Sequence, residues 1–381
     1  MKVGLSATVI QGGRSGVGQY IFAIVRELIH LPNIDLHIFA LEHETRLFDF
    51  AKGHCKIIPV AAWASSPVKN IWWHHRVAPK IAAELQLDVF HVPSYRRLMS
   101  SNQFATVGTI HDLAPFHVKG KYDIARMFYG KVVVKYLASR QTQIVAVSHD
   151  TAKDIEHFFN IPKEEVTVIH NGIDHDRFHP SDQQTARTWV RQTHGIDTPF
   201  FVYISRLEHP AKNHVRLIEA FNQFKKQTAS EWKLVIGGGD WHGSEEIYKA
   251  AQSSAYEDQI HFLGFIPDED LATIYQAASC LVYPSLFEGF GLPPIEAMAC
   301  GLPVISSHRG ALKEVVADAG LIIDPESVEE IKQALITVEG NPDILSELIT
   351  KAETNADRFH WKKAAFALVN IYERAQSTFH K

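Results

Sequence analysis

The sequence has few cysteines, no long apolar run and no strong excess of charge of either sign. Its three cysteines lack the spacing of a metal site and fit a protein of a reducing compartment. No apolar stretch approaches the roughly 20 residues of a membrane-spanning helix. The net charge of −5 argues against nucleic acid as a partner of the whole chain. Met1 leads directly into an apolar strand without a signal-peptide pattern, so we expect a cytoplasmic protein.

What the sequence does contain is a repeated alternation of short apolar strands and amphipathic segments. The 381 residues suffice for two domains, and a hydrophobic content of 46% is ordinary for a globular protein. Strands separated by helix-length intervals predict an α/β protein with parallel sheets. The predicted strands are Val3–Ala7, Leu36–Ala40, Lys56–Val60, Val89–Val92, Ala105–Ile110, Ile144–Val147, Val166–Ile169, Phe200–Ile204, Leu234–Ile236, Ile260–Leu263, Leu281–Tyr283, Val304–Ser306 and Leu321–Ile323.

The chemistry is densest between Cys280 and Gly301, in the sequence CLVYPSLFEGFGLPPIEAMACG. A short strand, a glycine loop and a helix that opens on prolines follow one another there. The amides of such a loop and the positive end of the helix can bind an anion. The carboxylates of Glu288 and Glu296 add acceptors for hydroxyl groups, so a ligand with phosphate and hydroxyls, such as a nucleotide-sugar, fits. The alternative is a solvated loop glutamate and a second glutamate that only balances the helix dipole.

This stretch resembles the E-x7-E signature of retaining glycosyltransferases of the family 4 type, since Glu288 and Glu296 flank GFGLPPI and AMACGLPV follows. The resemblance covers nearly the full length. It implies the GT-B fold, in which two Rossmann-like parallel-sheet domains face a cleft and a C-terminal helix crosses back to the first domain. The N-terminal, acceptor-side domain is expected at residues 1–178, joined by a helix at about 361–381, and the C-terminal, nucleotide-sugar-binding domain at residues 179–360.

Four residues are the candidate catalytic groups. Arg206 and Lys212 follow the first strand of the second half, and two cations there suit a diphosphate leaving group whose charge grows as the glycosidic bond breaks. His111 follows a strand at its carboxyl end, where ligands of open α/β sheets bind. The resemblance implies that His111 and Glu288 position the donor sugar. No residue stands out as the base for the acceptor.

The remaining candidates are expected to bind the donor. Glu296 is implied to accept hydrogen bonds from ribose, the segment at residues 264–267 to hold the base through backbone groups, and the amides near Phe290 to touch phosphate or sugar. The first glycine loop is no clean dinucleotide fingerprint, and its glycines can also serve only a tight turn. Asn213 is predicted to cap the next helix. The donor-binding candidates are Gly16, Gly18, Gly238, Phe265, Ile266, Phe290, Gly291, Leu292 and Glu296.

The sequence therefore predicts a retaining glycosyltransferase that moves a hexose from a UDP-sugar or a GDP-sugar, such as GDP-mannose, to a hydroxyl acceptor. The acceptor is expected to be lipid-linked or a growing polysaccharide or oligosaccharide. We expect no cofactor and no metal, because the D-x-D pair of Asp174 and Asp176 lies in a segment that resembles the hinge between the domains. The alternatives are a sugar-nucleotide epimerase on the same fold and a non-catalytic nucleotide-sugar-binding subunit.

Two segments of the first half are rich in aromatic and basic residues. Residues 69–76 read KNIWWHHR, and a second basic segment follows. Buried aromatics with a solvated rim explain such a pattern, and so does a face that meets anionic lipid or a lipid-diphosphate acceptor at the inner face of the membrane. Both interpretations stay open. The basic residues of the second segment are Lys119, Lys121, Arg126, Lys131 and Lys135.

Overall fold

The computed structural model describes residues 1–13, 15–117 and 127–379. The chain divides into two compact units. The N-terminal unit comprises Met1–Gly172 together with Trp361–Lys381, and the C-terminal unit comprises Ile173–His360. Each unit is built on its own parallel sheet.

The sheet of the N-terminal unit has seven strands. These are β1 (Lys2–Ser6), β2 (Asp35–Leu41), β3 (Lys56–Val60), β4 (Val89–Val92), β5 (Ala105–Ile110), β6 (Gln143–Ala146) and β7 (Val166–Val168). Their spatial order is β3-β2-β1-β4-β5-β6-β7, so the chain builds the sheet outward from β1 in both directions. That order is typical of doubly wound, Rossmann-like sheets. Strands β4 and β5 are buried along their whole length, as expected where both faces of a parallel sheet are covered.

Helices and short helical turns connect these strands. The α-helices are α1 (Gly16–Leu28), α2 (Pro67–Arg76), α3 (Ala78–Glu84), α4 (Ala114–His117), α5 (Lys135–Ala138) and α6 (His149–Asp154), with π-helical turns at Tyr129–Val134 and Ile155–Phe159. The C-terminal helix (Trp361–Phe379) belongs to the same unit, because its buried residues Leu368, Ile371 and Tyr372 join the core formed by α1 and β1. The predicted return of this helix to the first domain is confirmed.

The sheet of the C-terminal unit has six parallel strands in the order β10-β9-β8-β11-β12-β13. Its strands are β8 (Phe200–Ile204), β9 (Lys233–Gly237), β10 (Ile260–Gly264), β11 (Cys280–Tyr283), β12 (Val304–Ser307) and β13 (Gly320–Ile323). The helices around it are α7 (Gln183–His194), α8 (His214–Thr228), α9 (Ser244–Gln252), α10 (Asp268–Ala277), α11 (Leu292–Ala299), α12 (Leu312–Val316), α13 (Val328–Gly340) and α14 (Pro342–Ala356).

The predicted fold class, with two Rossmann-like parallel-sheet domains, is therefore confirmed. Each predicted strand is present, and its ends lie within one residue of the predicted ends. The amphipathic face predicted for α8 is also correct, since Leu217, Phe221 and Phe224 are all buried. Among the described helices, none combines the length and the apolarity that crossing a membrane would demand.

Candidate active site

The candidate residues of the C-terminal unit cluster where its parallel strands end. The loops after β8, β9, β10 and β11 all leave the same edge of the sheet, which is where open α/β sheets bind ligands. Backbone hydrogen bonds join these loops. Ser205 N–H donates to Gly237 O at 2.9 Å, Leu207 N–H donates to Gly239 O at 3.0 Å, and Gly238 N–H donates to Gly264 O at 2.7 Å. The loops after β8, β9 and β10 therefore form one hydrogen-bonded platform at this edge of the sheet.

Gly238 is the point of closest backbone approach in this platform. Its φ is +141°, and a Cβ atom added there would lie 1.8 Å from the carbonyl oxygen of Ser205. Only glycine allows the loop after β9 to pack so tightly on the loop that carries Arg206. Ile266, which follows β10, packs closely on Gly237, since a Cβ added to Gly237 would lie 2.3 Å from its Cδ1. Phe265, next to it, is 65% exposed.

Lys212 and Glu288 form an ion pair within the C-terminal unit, although 76 residues separate them. The Lys212 Nζ lies 2.5 Å from Glu288 Oε1, and the two side chains are only 13% and 16% exposed. Tyr283, the last residue of β11, donates its hydroxyl hydrogen to the same oxygen at 3.0 Å. Glu288 is thus no solvated loop glutamate, and the alternative interpretation is wrong for this residue.

The pKa of Glu288 reflects this pairing. Burial alone would raise the pKa of its carboxyl. The Lys212 ammonium, helped by donors on Ser285 and Tyr283, outweighs burial and lowers that pKa below its usual value. Glu288 is therefore a charged hydrogen-bond acceptor at neutral pH. Because an ammonium has three donors, Lys212 can hold Glu288 and still donate to a phosphate.

Arg206 is held by two side chains that the sequence did not point to. Its Nη2 donates to Glu208 Oε2 at 3.1 Å, and its guanidinium carbon lies 4.8 Å from the ring centroid of Trp241. The Arg206 side chain is 50% exposed, whereas that of Glu208 is 9% exposed. The guanidinium is oriented at the platform and is still open to a ligand phosphate. A cation–π contact of this kind pre-orients a side chain at small cost.

The glycine loop and helix α11 form as predicted. Gly291 takes a left-handed conformation, with φ of +99°, directly before α11, which carries Pro293 and Pro294 in its first turn. A second glycine that the sequence did not single out supports this loop. Gly310 has φ of +59°, and a Cβ there would lie 2.3 Å from Glu288 O. The next residue, Ala311, donates its N–H to that same carbonyl at 2.9 Å.

Asn213 does not cap helix α8, so that prediction is wrong. It occupies the residue before the helix but has φ of +63° and makes no capping hydrogen bond. Its side-chain amide donates instead to Pro284 O at 3.0 Å and to Pro325 O at 2.6 Å. Because these carbonyls follow β11 and β13, Asn213 ties the loop that carries Lys212 to the neighbouring strand ends.

Glu296 lies one turn inside α11 and is partly buried. Tyr275 of α10 donates its hydroxyl hydrogen to Glu296 Oε2 at 3.3 Å. Burial raises the pKa of Glu296 to about 7, although the Arg177 guanidinium opposes this. This desolvation and the Tyr275 hydrogen bond are not typical of a solvated surface glutamate, and the role of Glu296 in ribose binding stays a prediction. The sequence did not point to Arg177 or Tyr275.

The N-terminal unit holds the other candidates, Gly16, Gly18 and His111. Gly18 packs closely, since an added Cβ would lie 2.8 Å from Ile10 O, and its N–H donates to Ser15 Oγ at 3.0 Å. Gly18 therefore lies in the first turn of α1, where its close approach to Ile10 favours glycine and its N–H is capped by Ser15. A Cβ at Gly16 would meet nothing within 4 Å, so packing does not require glycine there.

His111 directly follows β5 and contacts helix α1. Its ring meets the ring of Tyr20 edge to face, with centroids 4.7 Å apart. Burial lowers the pKa of His111 to about 4, so the imidazole is neutral at pH 7. Its Nε2 is buried and has no hydrogen-bond partner within the described residues. Since an unpaired buried polar atom is costly, this nitrogen is suited to bind a ligand hydroxyl.

A buried polar chain supports His111. Tyr20 hydrogen-bonds to Thr109, and Thr109 Oγ1 lies 2.8 Å from His91 Nε2. His91 Nδ1 in turn lies 2.8 Å from Tyr372 Oη on the C-terminal helix. The last helix of the chain thereby reaches the strand end that carries His111.

The D-x-D pair has a structural explanation. Asp174 Oδ1 accepts hydrogen bonds from the amides of Asp176 and Arg177, at 3.1 and 3.2 Å. This is a turn in which the aspartate replaces a backbone acceptor. His175 lies 3.0 Å from Phe359 O through Nε2 and stacks on His360, so it also has local contacts.

The aromatic segment at residues 69–76 has two different faces. Within α2, Trp73 and His74 are buried, and His74 Nε2 lies 2.8 Å from Ser6 Oγ. Outside, Trp72 is 54% and Trp63 is 41% exposed, with their rings 5.5 Å apart. The buried face agrees with the core interpretation, and membrane contact by the outer face stays a prediction. In the second basic segment Lys131 is exposed and Lys135 partly exposed, whereas Lys119, Lys121 and Arg126 lie outside the described residues.

The sequence matches two families. Residues 14–177 match the family described as Glycosyltransferase Family 4, and residues 187–356 match the family described as Glycosyl transferases group 1. The O-antigen chain mannosyltransferase B of Escherichia coli is 28% identical over 392 residues, which span 98% of this chain and 100% of that protein.

Two solved structures share the fold. Sucrose-phosphate synthase from Thermosynechococcus elongatus superposes with a TM-score of 0.79 at 19% identity, over 98% of both chains. HepE of Anabaena, in complex with UDP and glucose, superposes with a TM-score of 0.78 at 19% identity, over 98% of this chain and 99% of that one. The two matches together give a Glycosyltransferase Family 4-like domain followed by a Glycosyl transferases group 1-like domain.

Proposed function

We propose that the protein is a retaining hexosyltransferase that takes mannose from GDP-mannose and adds it to a hydroxyl of a lipid-linked or growing polysaccharide. The observation that carries the proposal is the Lys212–Glu288 pair beside Arg206, on the sheet edge that also holds Glu296. Two cations and two partly buried carboxylates match a ligand that joins a diphosphate to two sets of hydroxyls. The choice of mannose is supported by the name of the E. coli relative.

Each candidate residue is assigned to a different part of the nucleotide-sugar donor. Arg206 and Lys212 neutralise the diphosphate as the bond from the anomeric carbon to the phosphate oxygen breaks. Glu288 accepts hydrogen bonds from the hexose, and Glu296 accepts them from ribose. The neutral ring of His111 binds a sugar hydroxyl. The acceptor oxygen forms the new bond to the anomeric carbon, and its proton passes to the departing phosphate, since no side chain is assigned as the base.

Donor binding tests the proposal directly. We expect GDP-mannose and GDP to raise the melting temperature in a thermal-shift panel that also contains UDP-glucose and UDP, because a ligand of the folded state stabilises it. Glu296→Gln should weaken GDP binding about ten- to hundredfold, the usual cost of losing a charged hydrogen-bond acceptor. Glu288→Gln should leave GDP affinity intact and lower kcat. A panel in which no nucleotide-sugar shifts the melting temperature would exclude the proposal.

Assays with the same protein and nucleotide-sugars distinguish a transferase from an epimerase and from a binding subunit. An epimerase would change the free nucleotide-sugar in an NMR time course without any acceptor. A binding subunit would shift its melting temperature but release no nucleotide diphosphate when donor and acceptor are both present. A transferase releases the nucleotide only in step with glycosylation of the acceptor.

Transfer is expected to persist in EDTA. Arg206, Lys212 and the amides of the glycine loop supply positive charge at the sheet edge, and Asp174 is already engaged by the amides of its own turn. We therefore expect initial rates with 5 mM EDTA, about the concentration used to strip divalent cations, to stay within about twofold of the rates with Mg²⁺. Complete loss of transfer that Mn²⁺ restores would contradict this expectation and return attention to Asp174 and Asp176.

A further inference from the structure

Arg177 of the C-terminal unit is an unusually placed cation. Its guanidinium carbon lies 4.6 Å from the ring centroid of Phe178, and Nη2 lies 3.7 Å from Asp268 Oδ1 at the start of α10. That distance is too long for a hydrogen bond, and Asp268 is 67% exposed. Both Nε and Nη2 are buried and have no hydrogen-bond partner within the described residues. A guanidinium with two unsatisfied buried donors is incompletely paired.

Glu296 is incompletely paired as well. Its one described hydrogen bond comes from Tyr275 at 3.3 Å, the long end of the normal range. Tyr275 also packs against Phe178, with ring centroids 6.2 Å apart, so Arg177 and Glu296 flank the same aromatic pair. The two are near enough to influence each other's charge, yet no ion pair joins them among the described residues. Arg177 and Glu296 are therefore a neighbouring cation and carboxyl that do not form an ion pair in the free protein.

We propose that Arg177 is a positioning residue of the ribose subsite, which leaves Asp268 and pairs with Glu296 when the ribose hydroxyls of the donor bind that carboxylate. The inference rests on the proposed function, because it takes Glu296 as the ribose acceptor. Two ribose hydroxyls need an ionised carboxylate, and a buried carboxylate is stable only beside a compensating charge. Arg177 is suited to this role, since its planar fork can donate to a carboxylate whose other lone pairs face the ligand.

Among the residues that the structure describes, four groups interact with Glu296 in the free protein. Arg177 lowers its pKa, whereas Asp268 of α10 raises it, Tyr275 donates a hydrogen bond, and Cys300 lies at the end of α11 within reach of its charge. Because burial raises the pKa of Glu296 to about 7, a substantial fraction of the free protein carries a neutral carboxyl at neutral pH. Nucleotide binding selects the ionised form. The affinity must therefore weaken as the pH falls below about 7 and level off above it.

The test is the pH profile of nucleotide affinity, measured by calorimetry with GDP, and with UDP in parallel, from pH 5.5 to 8.5. Glu296→Gln provides the reference, because it lacks this carboxyl but keeps the other titrating groups of the protein and of the nucleotide. After comparison with the Glu296→Gln profile, we expect the pH dependence of wild-type nucleotide affinity to have its midpoint near pH 7. Arg177→Met should move the midpoint to higher pH and weaken binding at pH 7 about tenfold, since one pH unit corresponds to a factor of ten. Arg177→Lys should restore part of the loss.

Asp268→Asn should shift the pH midpoint of nucleotide affinity in the opposite direction to Arg177→Met. Removing this carboxylate both frees Arg177 and removes a charge that raises the pKa of Glu296, so the midpoint should move to lower pH. Glu269→Gln, an exposed acid beside Asp268 in the same helical turn, should reproduce the wild-type profile. A purely structural role for Arg177 would lower the melting temperature without moving any midpoint. If wild type, Arg177→Met and Asp268→Asn all showed the same pH midpoint, the inference would be overturned. If wild type bound neither GDP nor UDP, the proposed function would be overturned instead.

Discussion

Replacing Lys212 with methionine is expected to remove most of the transfer activity and to destabilise the C-terminal unit. The substitution leaves the Glu288 carboxylate buried without its cation, and breaking a buried pair costs about 3–5 kcal/mol. Because both side chains keep some exposure, we expect the lower end, about 3 kcal/mol of unfolding free energy. Loss of a cation at the leaving group should also lower kcat about 10²- to 10³-fold.

A double-mutant cycle separates these two losses. Adding Glu288→Gln to Lys212→Met removes the unpaired charge, so urea unfolding should show recovered stability while kcat stays low. Lys226→Met, an exposed lysine of α8, is the matched control and should change neither quantity. If Lys212→Met kept both its stability and its rate, the ion pair would have no role in folding or catalysis.

Replacing Gly238 with alanine is expected to have the second large effect. The added Cβ would overlap the carbonyl oxygen of Ser205, and a φ of +141° is a backbone region that residues with a Cβ rarely enter. The clash involves backbone on both sides, so relief requires the loop carrying Arg206 to shift. We expect a loss of at least about 3 kcal/mol in unfolding free energy and a higher KM for the donor.

Gly239 is a matched control for this prediction. An alanine there would meet no atom within 4 Å, although Gly239 lies in the same loop and its carbonyl pairs with Leu207. Gly239→Ala should therefore leave the urea midpoint and KM close to wild type. Equal stability of the two variants would show that the close approach at Gly238 does not exist in solution.

The two glutamates of the glycine loop and helix are tuned in opposite directions. Glu288 has an ammonium at hydrogen-bond distance, which outweighs burial and lowers its pKa. Glu296 has a guanidinium only nearby, so burial prevails and its pKa rises to about 7. Paired environments that separate two pKa values are typical of active sites, where each group serves a different purpose. On our proposal, Glu288 is charged before the donor binds, and Glu296 becomes fully charged only when the nucleotide binds.

The sequence by itself determined where the strands lie, which fold class they build and which loop carries the densest chemistry. Apolar runs of three to six residues and the glycines and prolines that end them are local signals, so strand ends could be predicted to within one residue. The same local logic predicted the glycine loop before α11 and the position of His111 after β5. None of these depends on which distant segment becomes a neighbour.

Only the tertiary structure decided how the charged groups pair. Lys212 meets Glu288 across 76 residues, Arg206 rests on Trp241, and Arg177 stops short of Glu296. Asn213 shows the reason most clearly. A local rule predicted a helix cap, but the carbonyls of Pro284 and Pro325 come within reach once β8, β11 and β13 end at the same edge of one sheet, and the amide binds them instead. Pairing and desolvation depend on distances in space, and those distances exist only after the parallel sheet has brought its strand ends together.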